Sequence, residues 1–469
     1  MVKNSKQKRP FPNMLVIVFI VIIVAALMTW IIPAGQYDKV VDKATGKTIV
    51  DPDSFKYIEK TPVNPFSMLL AIPKGLTGGA GITFLVFITF GAIAIIEKTG
   101  SIDAAMAASI RKMGKSQKSV YFVMTLIMIF FAAWSSTGTF SHSQVFPFIP
   151  MFVLLCNSMG FDALVAIGMT FTIIGTGYAS GTINPYSIGV AHSVAGLPMF
   201  SGLRYRIVVL VVMSAVTIAY VLWYARKIKR DPSKSLLADI KLDSFSVDEE
   251  RLNTEMTNPR KVSLFIFLLG ILLLVYGLTK LKWGLDQISA IFLALGIIIG
   301  LINRMPLNTI SNSFVEGLQR GALPAIIVGF GRASVVIFEN GHIIDTIIHS
   351  VTSVLGKFNL YISSVIMLIF QTLLNFFIPS ASGQAAVTMP ILAPISDLIG
   401  MNRQITTLIF HFGDGYSNNL WPMLVLIACA IAKVPLEKYY KWYIPLFGIL
   451  FVFQIIFVWI AIAINYGPF

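Results

Sequence analysis

A stretch too apolar to be a surface loop is broken from within by glycine and proline: Thr172-Ile-Ile-Gly175-Thr-Gly177-Tyr178-Ala-Ser180-Gly181-Thr182-Ile-Asn184-Pro185. Four glycines or prolines between Gly175 and Pro185 are expected to break a helix there. A helix broken at membrane depth frees carbonyls and N–H groups, which is tolerable only inside protein or around a cavity. The pattern returns as Gly413-Asp414-Gly415-Tyr416-Ser417-Asn418-Asn419-Leu-Trp-Pro422. Two interrupted apolar segments in corresponding halves of a chain mark the substrate site of a transporter.

Composition agrees with a membrane setting. Only 12% of the 469 residues are charged and 56% are hydrophobic, whereas about a quarter of a soluble domain is charged. The formal charge of +14 reads as Lys and Arg collected in cytoplasmic loops. No basic stripe with interleaved aromatics lies outside those loops, so no nucleic-acid partner is expected. Cys156 and Cys429 sit in apolar runs and read as packing residues. The basic start, Met1 to Pro10, precedes an apolar Met14–Ile32 without a small-residue cleavage site. It reads as a first spanning helix with a cytoplasmic N-terminus, in the bacterial cytoplasmic membrane, rather than as a signal peptide.

Apolar stretches able to span, or to form part of a span, fall near Met14–Ile32, Ala80–Ile96, Val120–Trp134, Ala163–Thr176, Ile207–Tyr224, Ser263–Gly277, Ile288–Ile302, Ala322–Phe338, Leu360–Phe377, Met423–Ile431 and Tyr443–Ile464. The two shortest, Ala163–Thr176 and Met423–Ile431, adjoin the broken motifs. Gln36–Val63 is polar and is placed outside. Residues 226–261 open with Arg226-Lys227-Ile-Lys229-Arg230 and read as a cytoplasmic linker. The domains expected are 1–225, a first repeat with an N-terminal scaffold helix, and 262–469, a second repeat with scaffold helices. Gly75, Leu76, Gly79 and Ala80 recur as Gly317, Leu318, Gly321 and Ala322, an offset of 242 residues. Glu97, Asp103 and Gly114-Lys115 recur at the same offset as Glu339, Asp345 and Gly356-Lys357. These acids fall at helix ends and read as caps or interface anchors. The loop after the first repeat's opening helix carries Lys98, Arg111, Lys112, Lys115 and Lys118, whereas Gly341–Asn359 holds only Lys357. The first loop is therefore expected inside and the second outside, which makes the repeats opposite in topology.

Each half has a second irregular stretch before its glycine motif. One is Ser135-Ser136-Thr137-Gly138-Thr139-Phe140-Ser141-His142-Ser143-Gln144; the other is Pro379-Ser380-Ala-Ser382-Gly383-Gln384. Both are small, hydroxyl-rich and uncharged between apolar runs, as the tip of a re-entrant helical hairpin would be. Helix N-termini at such tips offer positive dipole ends to a carboxylate; small residues there can also simply let helices pack closely. Substrate-binding candidates are Ser136, Thr137, Gly138, Thr139, His142, Asn184, Ser380, Ser382, Gly383, Gln384, Asn418 and Asn419. Freed carbonyls and hydroxyls at Gly175, Gly177, Ser180, Gly413 and Ser417, with Asp414, are candidates for Na⁺.

Asp414 is the only carboxylate in either broken motif. It can face a substrate ammonium, coordinate Na⁺, carry a proton, or pair structurally with His411 or Arg332. Arg332, in Gly329-Phe-Gly331-Arg332-Ala333-Ser334, lies within an apolar helix and needs either the substrate's carboxylate or a protein acid. His142, His192 and His411 lie in or near the four stretches and can serve a proton-coupled carrier or a structural hydrogen bond. No Cys/His spacing suggests zinc, and Gly175-x-Gly177 lacks the third glycine and the βαβ unit of a dinucleotide turn. No cofactor is expected beyond Na⁺ or H⁺ as coupling ion. No nucleophile–base or metal constellation marks an enzyme; an ion channel is the alternative from another class.

Gly175 to Val194, Gly196-Leu197-Pro198, Gly331-Arg332 to Asp345, and Asn375-Phe-Phe-Ile-Pro-Ser-x-Ser-Gly-Gln-Ala-Ala to Pro390 resemble the bacterial YfcC family of the ion-transporter superfamily. The resemblance runs over nearly the whole chain. It implies an all-α polytopic membrane protein of two inverted-topology repeats, each with a re-entrant hairpin and a broken helix, plus scaffold helices. It also implies a homodimer working by an elevator motion in the lipid bilayer. For substrate it implies either a basic amino acid, exchanged as in arginine/ornithine antiport, or a C4-dicarboxylate with Na⁺ or H⁺. A cationic substrate would meet no carboxylate in Thr139-Phe140-Ser141-His142, which leaves Asp414 as the nearby negative charge.

Overall fold

Long apolar runs can satisfy their backbone in lipid only as helices, and helices dominate this chain. A computed structural model describes residues 14–41, 48–51, 54–104, 117–138, 140–184, 186–240, 254–281, 283–355 and 357–467. The first half runs α1 (Met14–Ile31), α2 (Pro65–Gly78), α3 (Ala80–Lys98), α4 (Gln117–Ser136), α5 (His142–Val145), α6 (Ile149–Ser158), α7 (Ala163–Ile167), α8 (Ile173–Ser180), α9 (Ile188–Ala195) and α10 (Leu203–Arg230). A π-helical turn, Gly168–Thr172, joins α7 to α8. The second half runs α11 (Asn258–Lys280), α12 (Leu285–Ile302), α13 (Leu307–Gly341), α14 (Ile344–Leu355), α15 (Leu360–Phe377), α16 (Ala381–Leu398), α17 (Arg403–Ser417), α18 (Pro422–Ala432) and α19 (Leu436–Ala463). Among the described residues, eight helices are long and apolar enough to cross a membrane, or nine if the bent α13 is one span. The chain is therefore an all-α polytopic membrane protein.

The elements of the halves recur in order. The pair α2–α3 covers 65–98 and α13 covers 307–341, so both begin 242 residues apart. The first is interrupted at Gly79; the second bends by 43° between Leu323 and Ala325, around Pro324, whose ring cannot be accommodated in a straight helix. These elements pack antiparallel through small residues. A Cβ on Gly75 would overlap the backbone of Gly329 and Ala333, and one on Gly317 would overlap that of Phe90 and Gly91. Between these two contacts the Thr83 hydroxyl donates to the Ala325 carbonyl, a residue 242 positions on (3.3 Å).

The core sits where the halves meet. Ala163–Ser180 is buried along its whole length, whereas α10 and α19 leave more than half of their apolar windows on the outer surface. At one end, Gln36–Val63 folds into two short antiparallel ladders, Gly35–Gln36 with Lys56–Tyr57 and Lys39–Val41 with Thr48–Val50. This cap grips α14: the Tyr37 N–H donates to Asp345 (3.1 Å) and Phe55 stacks on His349 (3.9 Å between centroids). The polar segment and the start of α14 thus share one face, as expected. The opposite end gathers the linker: Arg260 donates to the Thr99 carbonyl (3.1 Å), Lys229 to Met159 (2.7 Å), and Lys438 pairs with Asp239 (2.8 Å). Of the residues expected to form the first basic loop, Arg111, Lys112 and Lys115 lie outside the described residues.

Candidate functional site

The broken motifs meet at the centre of the molecule, but the glycines are not where the helices break. α8 continues through Gly175 and Gly177 to Ser180, and α17 through Gly413 and Gly415 to Ser417. This corrects the expectation that Gly175, Gly177 and Gly413 free their carbonyls for an ion, because those carbonyls stay in helical backbone. The glycines provide close approach instead. A Cβ on Gly415 would overlap Ala179, one on Gly177 the backbone of Ala132, one on Gly413 the helix at Gln371, and one on Gly175 the Asn419 side chain. Small residues at helix crossings are a membrane-protein packing device. The crossing of α8 and α17 is pinned by Ser180 Oγ and Tyr416 OH at 2.9 Å.

The true break in the first half follows at Gly181–Ser187. Its freed carbonyls meet a buried arginine that sequence reasoning missed. Arg206 donates from Nε to Gly181 O (2.8 Å), from Nη1 to Ser201 O (2.5 Å) and Tyr466 OH (3.5 Å), and from Nη2 to Thr182 O and Phe200 O (both 3.1 Å). All five guanidinium N–H groups are thereby used on neutral acceptors. In the second half the interruption is a turn at 418–421. There the freed carbonyls meet tyrosines: Tyr439 OH donates to Asn419 O (2.8 Å), Tyr440 OH to Leu420 O (2.8 Å) and Tyr443 OH to Tyr416 O (3.4 Å).

The hairpin tips close on these breaks. The first tip turns at Gly138 with φ +76, where a side chain would also overlap Asn184. Ser136 meets Thr182, hydroxyl to hydroxyl at 3.0 Å, and its carbonyl accepts from the Thr182 N–H (2.9 Å). Thr137 turns back on its own helix, donating to Trp134 O (2.7 Å). His142 Nε2 lies 3.0 Å from Asn419 Oδ1, and Asn419 Nδ2 donates to the Thr172 carbonyl at the end of the π-helical turn (3.2 Å). Asn419 therefore binds the second half's turn to the first half's hairpin and helix. At the second tip Gln384 donates to Gln371 (2.5 Å to Oε1), beside Gly413. Asn375, also in α15, donates to Asp414 O (3.0 Å), Ser417 Oγ (2.7 Å) and Asn418 Oδ1 (3.0 Å). Ser380 caps α16 by accepting from the Gly383 N–H (3.3 Å); Ser380 and Ser382 are exposed and Gly383 half-buried, so this tip opens outward while the first is enclosed.

Against this order stands a set of buried polar atoms without hydrogen-bond partners among the described residues. Both carboxylate oxygens of Asp414, both ring nitrogens of His411, Asn184 Nδ2, Ser187 Oγ and Gln384 Oε1 are in it. Tyr178 ties several together: its ring lies 6.3 Å from those of His142 and His411, and its side chain neighbours Asp414, Asn184 and Ser187. His411 in turn lies against Gly181 and the Tyr178 carbonyl. Groups that are costly to bury unsatisfied are concentrated where the two helices cross. Such a site can accept a cation, or a ligand ammonium, at Asp414 and polar ligand atoms at the amides. Among the described residues no three His, Cys, Asp or Glu side chains converge as a metal site would require.

Asn184, Asn418, Asn419, Ser180, Ser417, His142, Gln384 and Asp414 are buried around this crossing. Thr139 lies outside the described residues. Arg332 is corrected: it is exposed on α13, packed over Gly78 of α2, and makes no ion pair with Asp414. Its apolar helix is a scaffold helix with a free outer face, so an arginine there reaches the surface. The signal for Arg206 was its place, just ahead of the apolar run that reads from Ile207 onward.

A protein-family description, "DcuC: C4-dicarboxylate anaerobic carrier", matches residues 11–463. YfcC of Escherichia coli K12, whose name assigns it provisionally as a basic amino acid antiporter, is 30% identical across 96% of both chains. An uncharacterised protein of Haemophilus influenzae Rd is 27% identical across 95% of this chain and 96% of its own. Among solved structures, the Alcanivorax borkumensis YdaH transporter matches with a TM-score of 0.43 and 13% identity, covering 97% of this chain and all of that one. Neisseria gonorrhoeae MtrF, described among antimetabolite efflux pumps, matches with a TM-score of 0.41 and 17% identity over 96% and 95%.

Proposed function

The chain belongs to the DcuC family, a family of membrane transporters, and we propose that it is a secondary active carrier for a small carboxylate-bearing metabolite, an amino acid of the arginine/ornithine type taken by exchange. The observation that carries this reading is Asp414, wholly buried with neither oxygen paired. An unpaired carboxylate in a membrane interior calls for a proton or a mobile cation, and a substrate ammonium is such a cation. The substrate's carboxylate is assigned to the outward-opening tip at Ser380, Ser382 and Gly383, at the N-terminus of α16. The provisional name of the 30% identical relative points the same way. The second reading, a C4-dicarboxylate carrier using Na⁺ or H⁺, is favoured by the family's own description; Asp414 then holds the coupling cation.

The halves act as inverted repeats in this proposal. Antiparallel packing of α3 on α13 supports this, as do the exchanged contacts of Gly75 and Gly317 and the direct contact of Thr83 with Ala325. A cytoplasmic N-terminus is supported by the basic end formed by Lys98, Arg226 to Arg230, Arg260 and Lys438. A homodimer and an elevator stroke rest on the family resemblance.

The test is transport by purified protein in liposomes, preloaded with unlabelled amino acid or dicarboxylate, with and without Na⁺. Saturable arginine or ornithine uptake accelerated by the same compound inside supports the first reading. Succinate or fumarate uptake alone transfers the site to the second. Flux that neither saturates nor responds to internal substrate would mean a channel.

A further inference from the structure

Two stripes of side chains face one another at the linker end of α4 and α10. On α10, Leu222, Arg226, Lys229 and Arg230 follow the i, i+4, i+7, i+8 spacing of one helix face. On α4, Lys118, Tyr121, Phe122 and Thr125 do the same. Together they line a cavity of about 540 Å³, far from Asp414, with four cations and no carboxylate in its wall. Arg226 rests over the Tyr121 ring, 5.1 Å from its centroid, and Lys229 is partly engaged by the Met159 carbonyl. Lys118, Arg226 and Arg230 have no ion pair among the described residues. Four like charges held together without a counter-ion repel one another; an anion between them removes the repulsion.

The surface beneath identifies the anion. The α4 stripe continues as Phe122 (63% exposed), Leu126 (49%) and Ile129 (50%), apolar side chains on the outer face of a helix long enough to cross a membrane. An occupant with charge at one end and hydrocarbon along the rest fits both parts, and a free phosphate fits only the upper one. Basic pockets between membrane helices hold anionic lipid headgroups. We propose that the α4–α10 groove is a binding site for an anionic phospholipid of the cardiolipin type, its two phosphates shared among Lys118, Arg226, Lys229 and Arg230 and its acyl chains lying along Phe122, Leu126 and Ile129. The inference rests on the membrane placement of the chain and is independent of its substrate.

The experiment compares the delipidated protein in detergent with cardiolipin, with phosphatidylcholine of the same acyl chains, and with inorganic phosphate. Binding is read by native mass spectrometry and by the melting midpoint. Cardiolipin is expected to remain bound and to raise the midpoint, whereas the other two do not. The triple variant Lys118→Gln, Arg226→Gln, Arg230→Gln is expected to bind cardiolipin on the order of a hundredfold more weakly. Should that variant fail to fold, the single variant Arg230→Gln, at an exposed helix end, is expected to bind several-fold more weakly. An equal effect of phosphatidylcholine or of inorganic phosphate overturns the proposal, as does undiminished cardiolipin binding by a folded variant.

Discussion

Arg206 and Tyr439 are each the fourth residue of the long helix that closes their half, and each donates to a carbonyl freed by that half's interruption. Arg206 Nε reaches Gly181 O and Tyr439 OH reaches Asn419 O, both at 2.8 Å. The same backbone problem is thus solved with a fixed positive charge in one half and with neutral hydroxyls in the other. A guanidinium among carbonyls occupies the kind of environment in which transporters hold Na⁺, so the first break carries its cation as part of the chain.

Arg206→Met leaves four buried carbonyls without their donors, and the expected loss is about 3 kcal/mol or more of unfolding free energy. Tyr439→Phe removes one hydroxyl and is expected to cost about 1 kcal/mol. Arg206→Lys, with three donors in place of five, is expected between these. Chemical unfolding in detergent ranks the three; a Met variant as stable as the Phe variant would refute the role of the guanidinium.

Asp414→Asn is expected to abolish transport, by roughly a hundredfold or more if a charged contact of about 3 kcal/mol is lost. The variant should melt no lower than the parent, because an unpaired buried charge is removed rather than a paired one. Uptake into liposomes beside a melting curve separates the two effects. Full transport by the folded variant would take Asp414 out of the site.

Gly415→Ala places a methyl group into Ala179 at the crossing of α8 and α17, and overpacking of this kind costs about 1–3 kcal/mol. Gly448→Ala, in α19 with nothing within 4 Å of the new methyl, is expected to be neutral or to stabilise by up to about 1 kcal/mol. Thermal melts of the pair, measured together, distinguish a packing glycine from an incidental one.

Arg332→Gln is expected to leave the half-saturating substrate concentration within about twofold of the parent, the range of a surface substitution, since Arg332 is exposed and separated from the crossing. Saturation curves in liposomes decide this; a tenfold rise would return Arg332 to the binding site.

Much of this architecture is legible in the sequence because apolar runs in lipid have one solution, the helix. The constant offset also announced paired elements, and Ser136, Asn184, Asp414 and Asn419 fell where the site lies. The glycines were misread for a physical reason: in an apolar helix a glycine either breaks the backbone or lets a neighbour approach, and only the neighbour tells which. Gly415 has Ala179 against it, a residue 236 positions away in sequence. Arg206 escaped because its partners are main-chain carbonyls, which leave no residue signature. The π-helical turn Gly168–Thr172 is a matter of backbone register, and nothing in Gly-Met-Thr-Phe-Thr specifies it.

The joint between α2–α3 and α13 is self-complementary, since Gly75 meets Ala333 while Gly317, 242 residues after Gly75, meets Gly91, 242 residues before Ala333. A surface that fits its own counterpart in this way is the surface of a two-fold dimer, here made by one chain folded back on itself. The covalent connection through residues 241–253 then contributes proximity rather than shape. Two polypeptides cut within that linker and produced together should find each other and reassemble as a carrier.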